Sequence, residues 1–108
     1  MADFGRRALL GVMVAFAARP SQAADAAVSI DNFTFAPQIL KVAVGTRVVW
    51  TNHDDIPHTV MSAAQPPLFR SPHALDTDDG FARVFDQAGS FGYFCSLHPH
   101  MTGTIVVG

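Results

Sequence analysis

The stretch "GSFGYFCSLHPHMTGTIVV" covers residues 89–107. Two runs with the β-branched and aromatic content of strands, 89–95 and 102–108, bracket the segment Ser96–Met101. Cys95 is the only cysteine of the chain, His98 follows it by three residues, and Met101 follows His98 by three. That spacing also suits one face of a helix. Pro99 argues against a helix, because it lacks an N–H and biases His98 away from the helical region. Gly92 and Gly103 flank the segment on strand-like sequence. The stretch therefore reads as two strands joined by a tight loop. Cys95 ends the first strand, and His98 and Met101 turn back toward its sulfur.

Working outward, the same strand composition recurs at 27–35, 38–44, 46–52, 58–61 and 80–86. Turn signals separate these runs at Ala36-Pro37, Gly45, Asp54-Asp55-Ile56-Pro57, Asp78-Asp79-Gly80 and Ala88-Gly89. Leu40, Val42 and Val44 alternate with Lys41 and Ala43, and Val48 and Trp50 alternate with Arg47, Val49 and Thr51. A period of two predicts sheets with one buried face. Trp50, Phe33, Phe35, Phe81, Phe85, Phe91 and Phe94 are read as core. No run has helical period, though 62–79 has room for a turn of helix. The expected fold is all-β, a small two-sheet Greek-key β-sandwich.

Residues 1–24 do not belong to that sandwich. Arg6 and Arg7 precede an apolar run from Ala8 to Ala18, and Ser21 and Ala23 stand at the spacing of a cleavage site. This is the layout of a cleaved secretory signal peptide, and the run is shorter than the ~20 residues of a membrane span. The Arg6-Arg7 pair also fits twin-arginine export. Export to the periplasm is expected, as a monomer with no membrane span after processing. The mature domain would be residues 25–108. Loss of Arg6, Arg7, Arg19 and Asp3 leaves four basic and eight acidic residues. A net charge of about −4 makes nucleic-acid binding unfavourable. One cysteine cannot form an internal disulfide, so a metal is an attractive staple for so small a chain.

A thiolate, an imidazole and a thioether are a soft to borderline ligand set. Two His, one Cys and a weak axial Met describe a blue-copper site, whereas structural zinc sites do not use Met. The loop supplies one dependable histidine, so a second must come from elsewhere. His58 is the best candidate, after Pro57 at the start of a strand-like run; His53, His73 and His100 are rivals.

"WTNHDDIPHTV" (50–60) followed by "GSFGYFCSLHPHMTGTIVV" resembles the type 1 copper proteins, the cupredoxins, and within them the amicyanin branch of the plastocyanin/pseudoazurin group. The resemblance spans roughly residues 27–108. It implies one copper ion held by His58, Cys95 and His98, with Met101 as axial ligand. It implies a one-electron carrier, not an enzyme, serving redox partner proteins: an amine dehydrogenase as donor and a c-type cytochrome as acceptor. It also implies that His98 detaches and protonates in the reduced state. One departure stands out, Thr59 where the family usually has Asn. A hydroxyl cannot make the two-ended clamp of an amide. Pro99 removes one N–H that could stabilise the reduced thiolate site, so a reduction potential toward the low end of the family is expected.

Two other functions compete. Copper sequestration or delivery would use the same ligands, but two of the four methionines lie in the leader. A Cys–His hydrolase would need a base and an oxyanion loop beside Cys95, and no Gly-rich loop is evident. The group Asp76, Asp78 and Asp79 is read as a solvated turn. Pro99, Met61, Leu68 and Phe69 are expected to form an apolar docking patch near His98.

Overall fold

The computed structural model describes residues 25–108. The signal-peptide reading of 1–24 lies outside the described residues. Eight strands are present among them: β1 (Asp25–Asp31), β2 (Thr34–Ala36), β3 (Ile39–Val42), β4 (Thr46–Asn52), β5 (Met61–Ser62), β6 (Gly80–Phe85), β7 (Gly89–Phe94) and β8 (Thr102–Val107). They form two four-stranded sheets, ordered β2-β1-β4-β6 and β3-β8-β7-β5. The pairs β1–β4 and β3–β8 are parallel, and the others are antiparallel. The all-β sandwich is as expected. The two parallel pairs were not legible, because period-two alternation does not report strand direction.

The core lies between the sheets. Val48, Trp50 and Asn52 alternate inward along β4, and Tyr93, Ile105 and Val107 face them from β7 and β8. Trp50 is fully buried and lies against Phe69, Phe81, Phe85 and Tyr93. Aromatic burial on this scale dominates the stability of a small domain. Tyr93 also requires a glycine opposite. It pairs in register with Gly103, and a Cβ there would meet the tyrosine ring and hydroxyl.

Several details differ from the sequence reading. The predicted strand at 27–35 is broken by a two-residue turn, Asn32–Phe33, into the hairpin β1–β2. Both turn residues have positive φ, 53° and 58°. Phe33 is therefore not core but 45% exposed at a hairpin tip. Val44 lies beyond the end of β3 and is exposed, so the alternation stops at Val42. The predicted strand at 58–61 shrinks to β5, and His58 makes only an isolated bridge with Leu75. Residues 63–79 form no helix and no strand. Phe69, predicted at the surface, is buried against Trp50 and Phe85, while Leu68 beside it is exposed. Leu68 shares a depression with Val84, Phe85 and Phe91, at the end of β6 remote from Asn52.

Replacing Gly103 with alanine should lower unfolding stability by about 1–3 kcal/mol, the usual range for overpacking. Denaturant unfolding of the protein measures this, and an unchanged midpoint would contradict the packing described.

Candidate metal centre

The first half of the site is a corner built after β4. Asn52, fully buried at the strand end, donates its amide Nδ2 to the carbonyls of Ile56 and Leu75, both at 2.9 Å. Its Oδ1 accepts the N–H of Asp54 at 2.9 Å. That single amide folds residues 52–57 into a compact turn and delivers His58 to the inside. The His58 backbone pairs with Leu75 in both directions, at 3.1 and 2.7 Å. Its Nε2 lies 2.7 Å from the Asp54 carboxylate, which fixes the ring and points Nδ1 the other way.

The second half is the loop after β7. The Cys95 N–H donates to the Met101 carbonyl at 3.1 Å, closing the loop. Inside it, the His98 N–H donates to Cys95 O at 3.2 Å, and the Met101 N–H to His98 O at 2.9 Å. These bonds turn His98 back over the sulfur. Cys95 Sγ is 3.8 Å from His58 Nδ1 and 3.8 Å from His98 Nδ1. The donor atoms of His58, Cys95 and His98 all lie within 4.8 Å of one another. Cys95 and His58 are fully buried, and His98 is half-buried. Met101 is buried at the end of the same loop. His53, His73 and His100 are exposed and stand outside this cluster.

The spacing fits a metal. Metal–nitrogen bonds of about 2.0–2.1 Å and metal–sulfur bonds of about 2.3 Å separate N from S by about 3.8 Å at a trigonal angle, against about 3.6 Å at a tetrahedral one. Two imidazole nitrogens and a thiolate at this spacing could together hold a metal ion such as copper.

The sulfur is also prepared as an anion. Burial alone pushes a thiol up. Here the Thr59 N–H at 3.4 Å, the His58 and His98 rings and the Leu97 N–H outweigh it and bring Cys95 down from 9.0 to about 6. Thr59 does more than its single hydroxyl promised. Its Oγ1 accepts the Ser96 N–H at 2.7 Å and lies 2.8 Å from the Ser96 hydroxyl. Ser96 thus supplies the second end of the clamp that an amide would have made alone.

Two residues beside the site were missed from sequence. Asp54 was read only as part of a turn; its position four residues before His58 was the available signal. Its carboxyl is held down at about 2, first by the Phe33 N–H, with the Asn32 N–H and His58 adding to it against the cost of burial. Phe33 was assigned to the core, yet its ring stands edge-on to both His58 and His98. Leu97, exposed on the loop, replaces Leu68 and Phe69 in the apolar surface around His98.

With the geometry in hand, comparison with known proteins gives the relationship. The model of the cupredoxin-like domain matches residues 6–107. The chain belongs to the cupredoxin-like family. It is 27% identical to amicyanin-alpha of Methylorubrum extorquens, over 99% of this chain and 92% of that one. It is 31% identical to the plastocyanin of Scenedesmus fuscus, over 68% of this chain and 85% of the other. Among solved structures, a purple cupredoxin from Nitrosopumilus maritimus superposes with a TM-score of 0.72 at 36% identity, covering 78% of this chain and all of that one. The family is one of electron carriers, and its members hold one type 1 copper.

In the metal-free protein, the thiolate ultraviolet absorbance of Cys95 should appear with a midpoint near pH 6. The folded value lies below the ordinary one, so ionisation adds stability at high pH. That contribution is lost as pH falls from about 9 to about 6. A midpoint above pH 8 would contradict the hydrogen bonding described.

Proposed function

We propose that this chain is an exported one-electron carrier that holds a single type 1 copper ion between His58, Cys95 and His98, with Met101 as the weak axial ligand. The observation that carries the reading is the convergence of two imidazole nitrogens and one buried sulfur within 4.8 Å. Copper bound there would supply a one-electron Cu(II)/Cu(I) couple.

The chain's own residues do the rest. The hydrogen bonds that lower Cys95 favour the thiolate, the form in which it would bind the metal. Asp54 holds His58 in one orientation, and the Thr59–Ser96 pair holds the loop. Fixed ligands reduce the movement that a change of charge would demand. His98 is the ligand nearest solvent, with exposed Leu97 and Pro99 beside it, so its ring edge is the route by which an electron reaches a partner. Small transient contacts suffice for such encounters. The partners suggested by the amicyanin likeness are an amine dehydrogenase and a c-type cytochrome, met in the periplasm after removal of residues 1–24.

Full burial of Cys95 counts against a nucleophilic cysteine, since no substrate carbonyl reaches a sulfur closed on all sides. It also counts against delivery of copper, which needs ligands that open readily to a recipient.

The test is the visible spectrum of the mature protein with Cu(II), before and after ascorbate. An intense thiolate-to-copper band that bleaches on reduction, returns on oxidation and is missing from Cys95→Ser is the expected result. Its position tells a blue centre from a purple one. A weak, pale spectrum would overturn the assignment.

A further inference from the structure

The β1–β2 hairpin turns through Asn32 and Phe33, both in the left-handed region. Two-residue hairpin loops with two positive φ angles favour Asn at the first place and Gly at the second. Asn32 obeys this, and Phe33 does not. A bulky side chain in that conformation is strained, and such strain persists only where the surroundings impose it. Here Asp54 imposes it. Its Oδ1 accepts the Asn32 N–H at 2.6 Å, and its Oδ2 accepts the Phe33 N–H at 3.0 Å. Successive N–H groups facing one anion form a nest. Asp54 is itself fixed at both ends of its backbone, by Asn52 Oδ1 at 2.9 Å and by the Thr77 hydroxyl at 2.6 Å. The same Oδ2 takes the His58 Nε2 contact at 2.7 Å.

The strain places an aromatic ring where the core has no use for it. The Phe33 centroid lies 5.6 Å from that of His58 and 5.1 Å from that of His98, nearly perpendicular to each, and the imidazoles are 5.2 Å apart. The phenyl ring thus caps the pair. Phe33 also lines, with Phe35, Gln38, His100 and Met101, a surface depression of about 190 Å³. That volume admits several waters or a small anion. Phe33 thus lines the depression and also contacts both imidazoles.

We propose that Asp54 and Phe33 form one positioning unit, in which the carboxylate holds the turn and the turn holds the phenyl ring as a wall that keeps small anions off a metal bound by His58, Cys95 and His98. The inference rests on the copper reading above. The carboxylate thereby serves both halves of the centre, orienting His58 directly and, through Phe33, covering the two imidazoles.

Azide is the probe, added to the copper-loaded protein and followed by its visible spectrum. Phe33→Ala should bind azide at least about tenfold more tightly than the wild type. Phe33→Leu, which keeps apolar bulk, should lie between them. Asp54→Asn retains one acceptor and loses the other, so it should shift affinity in the same direction as Phe33→Ala. The double variant should bind no more tightly than Phe33→Ala alone, since both changes open one wall. Equal azide affinity in wild type and Phe33→Ala would overturn the wall, and additive effects in the double variant would overturn the unit. A second arm needs no copper. In the metal-free protein, Asp54→Asn should move the His98 ring-proton shifts in the direction that Phe33→Ala does, and unchanged shifts would refute the coupling. A wild type without an intense visible band would refute the copper reading instead, and the metal-free arm would still decide the positioning.

Discussion

A sulfur anion with no solvent exposure is unstable unless donors surround it. The arrangement of the corner after β4 and the loop after β7 meets that constraint. Cys95 receives the Thr59 N–H and faces the rings of His58 and His98. These groups come from two segments almost forty residues apart, so two sheets must bring the end of β4 and the end of β7 to one pole. The core does this without reference to the site. Trp50 and Tyr93, fully buried and edge to face, lock β4 against β7 two residues before Asn52 and two before Cys95. The register of the aromatic core therefore sets the separation of the donors.

Within that frame Trp50 Nε1, Arg83 Nε and the Tyr93 hydroxyl are buried without partners, whereas the polar groups beside the site are paired. The Asn52 amide meets Ile56, Leu75 and Asp54, and the backbone of His58 meets that of Leu75. The Thr59 hydroxyl meets Ser96. No separate metal-binding module exists among the described residues. The site is what remains when the hydrogen bonds of one pole of a β-sandwich are completed and two imidazoles and a thiolate are left facing one another.

The sandwich and the ligand loop were legible because both are local. Alternation in 46–52 gives β4 to the residue, and Pro99 between strand-like runs gives the loop. What stayed hidden depends on partners distant in sequence. Residues 63–79 show no period because their backbone bonds go elsewhere, Ser62 to Phe69, Ser71 to Val60 and Leu75 to His58. Phe69 and Leu68 are equally apolar, and only the position of Trp50 buries one and exposes the other. Phe33 looked like core because composition counts aromatic rings without knowing that its backbone lies in a turn held by a carboxylate twenty-one residues away.

The two imidazoles are held very differently. His58 is fully buried, with its backbone bonded at both ends to Leu75 and its ring to Asp54. Its place is set by the fold before any metal arrives. His98 is on a loop, half-buried, with backbone bonds only to the neighbouring ligand-loop residues Cys95 and Met101. Its ring meets Phe33 and His58 edge to face, and its Nδ1 lies 3.8 Å from Cys95 Sγ. His98 is therefore the less restrained of the two. The loop also leaves its ring half-buried, nearer the surface than that of His58. The site thus joins one histidine fixed by the fold to one held mainly by its own loop. From outside the loop, the hairpin tip at Phe33 packs edge-on against the His98 ring.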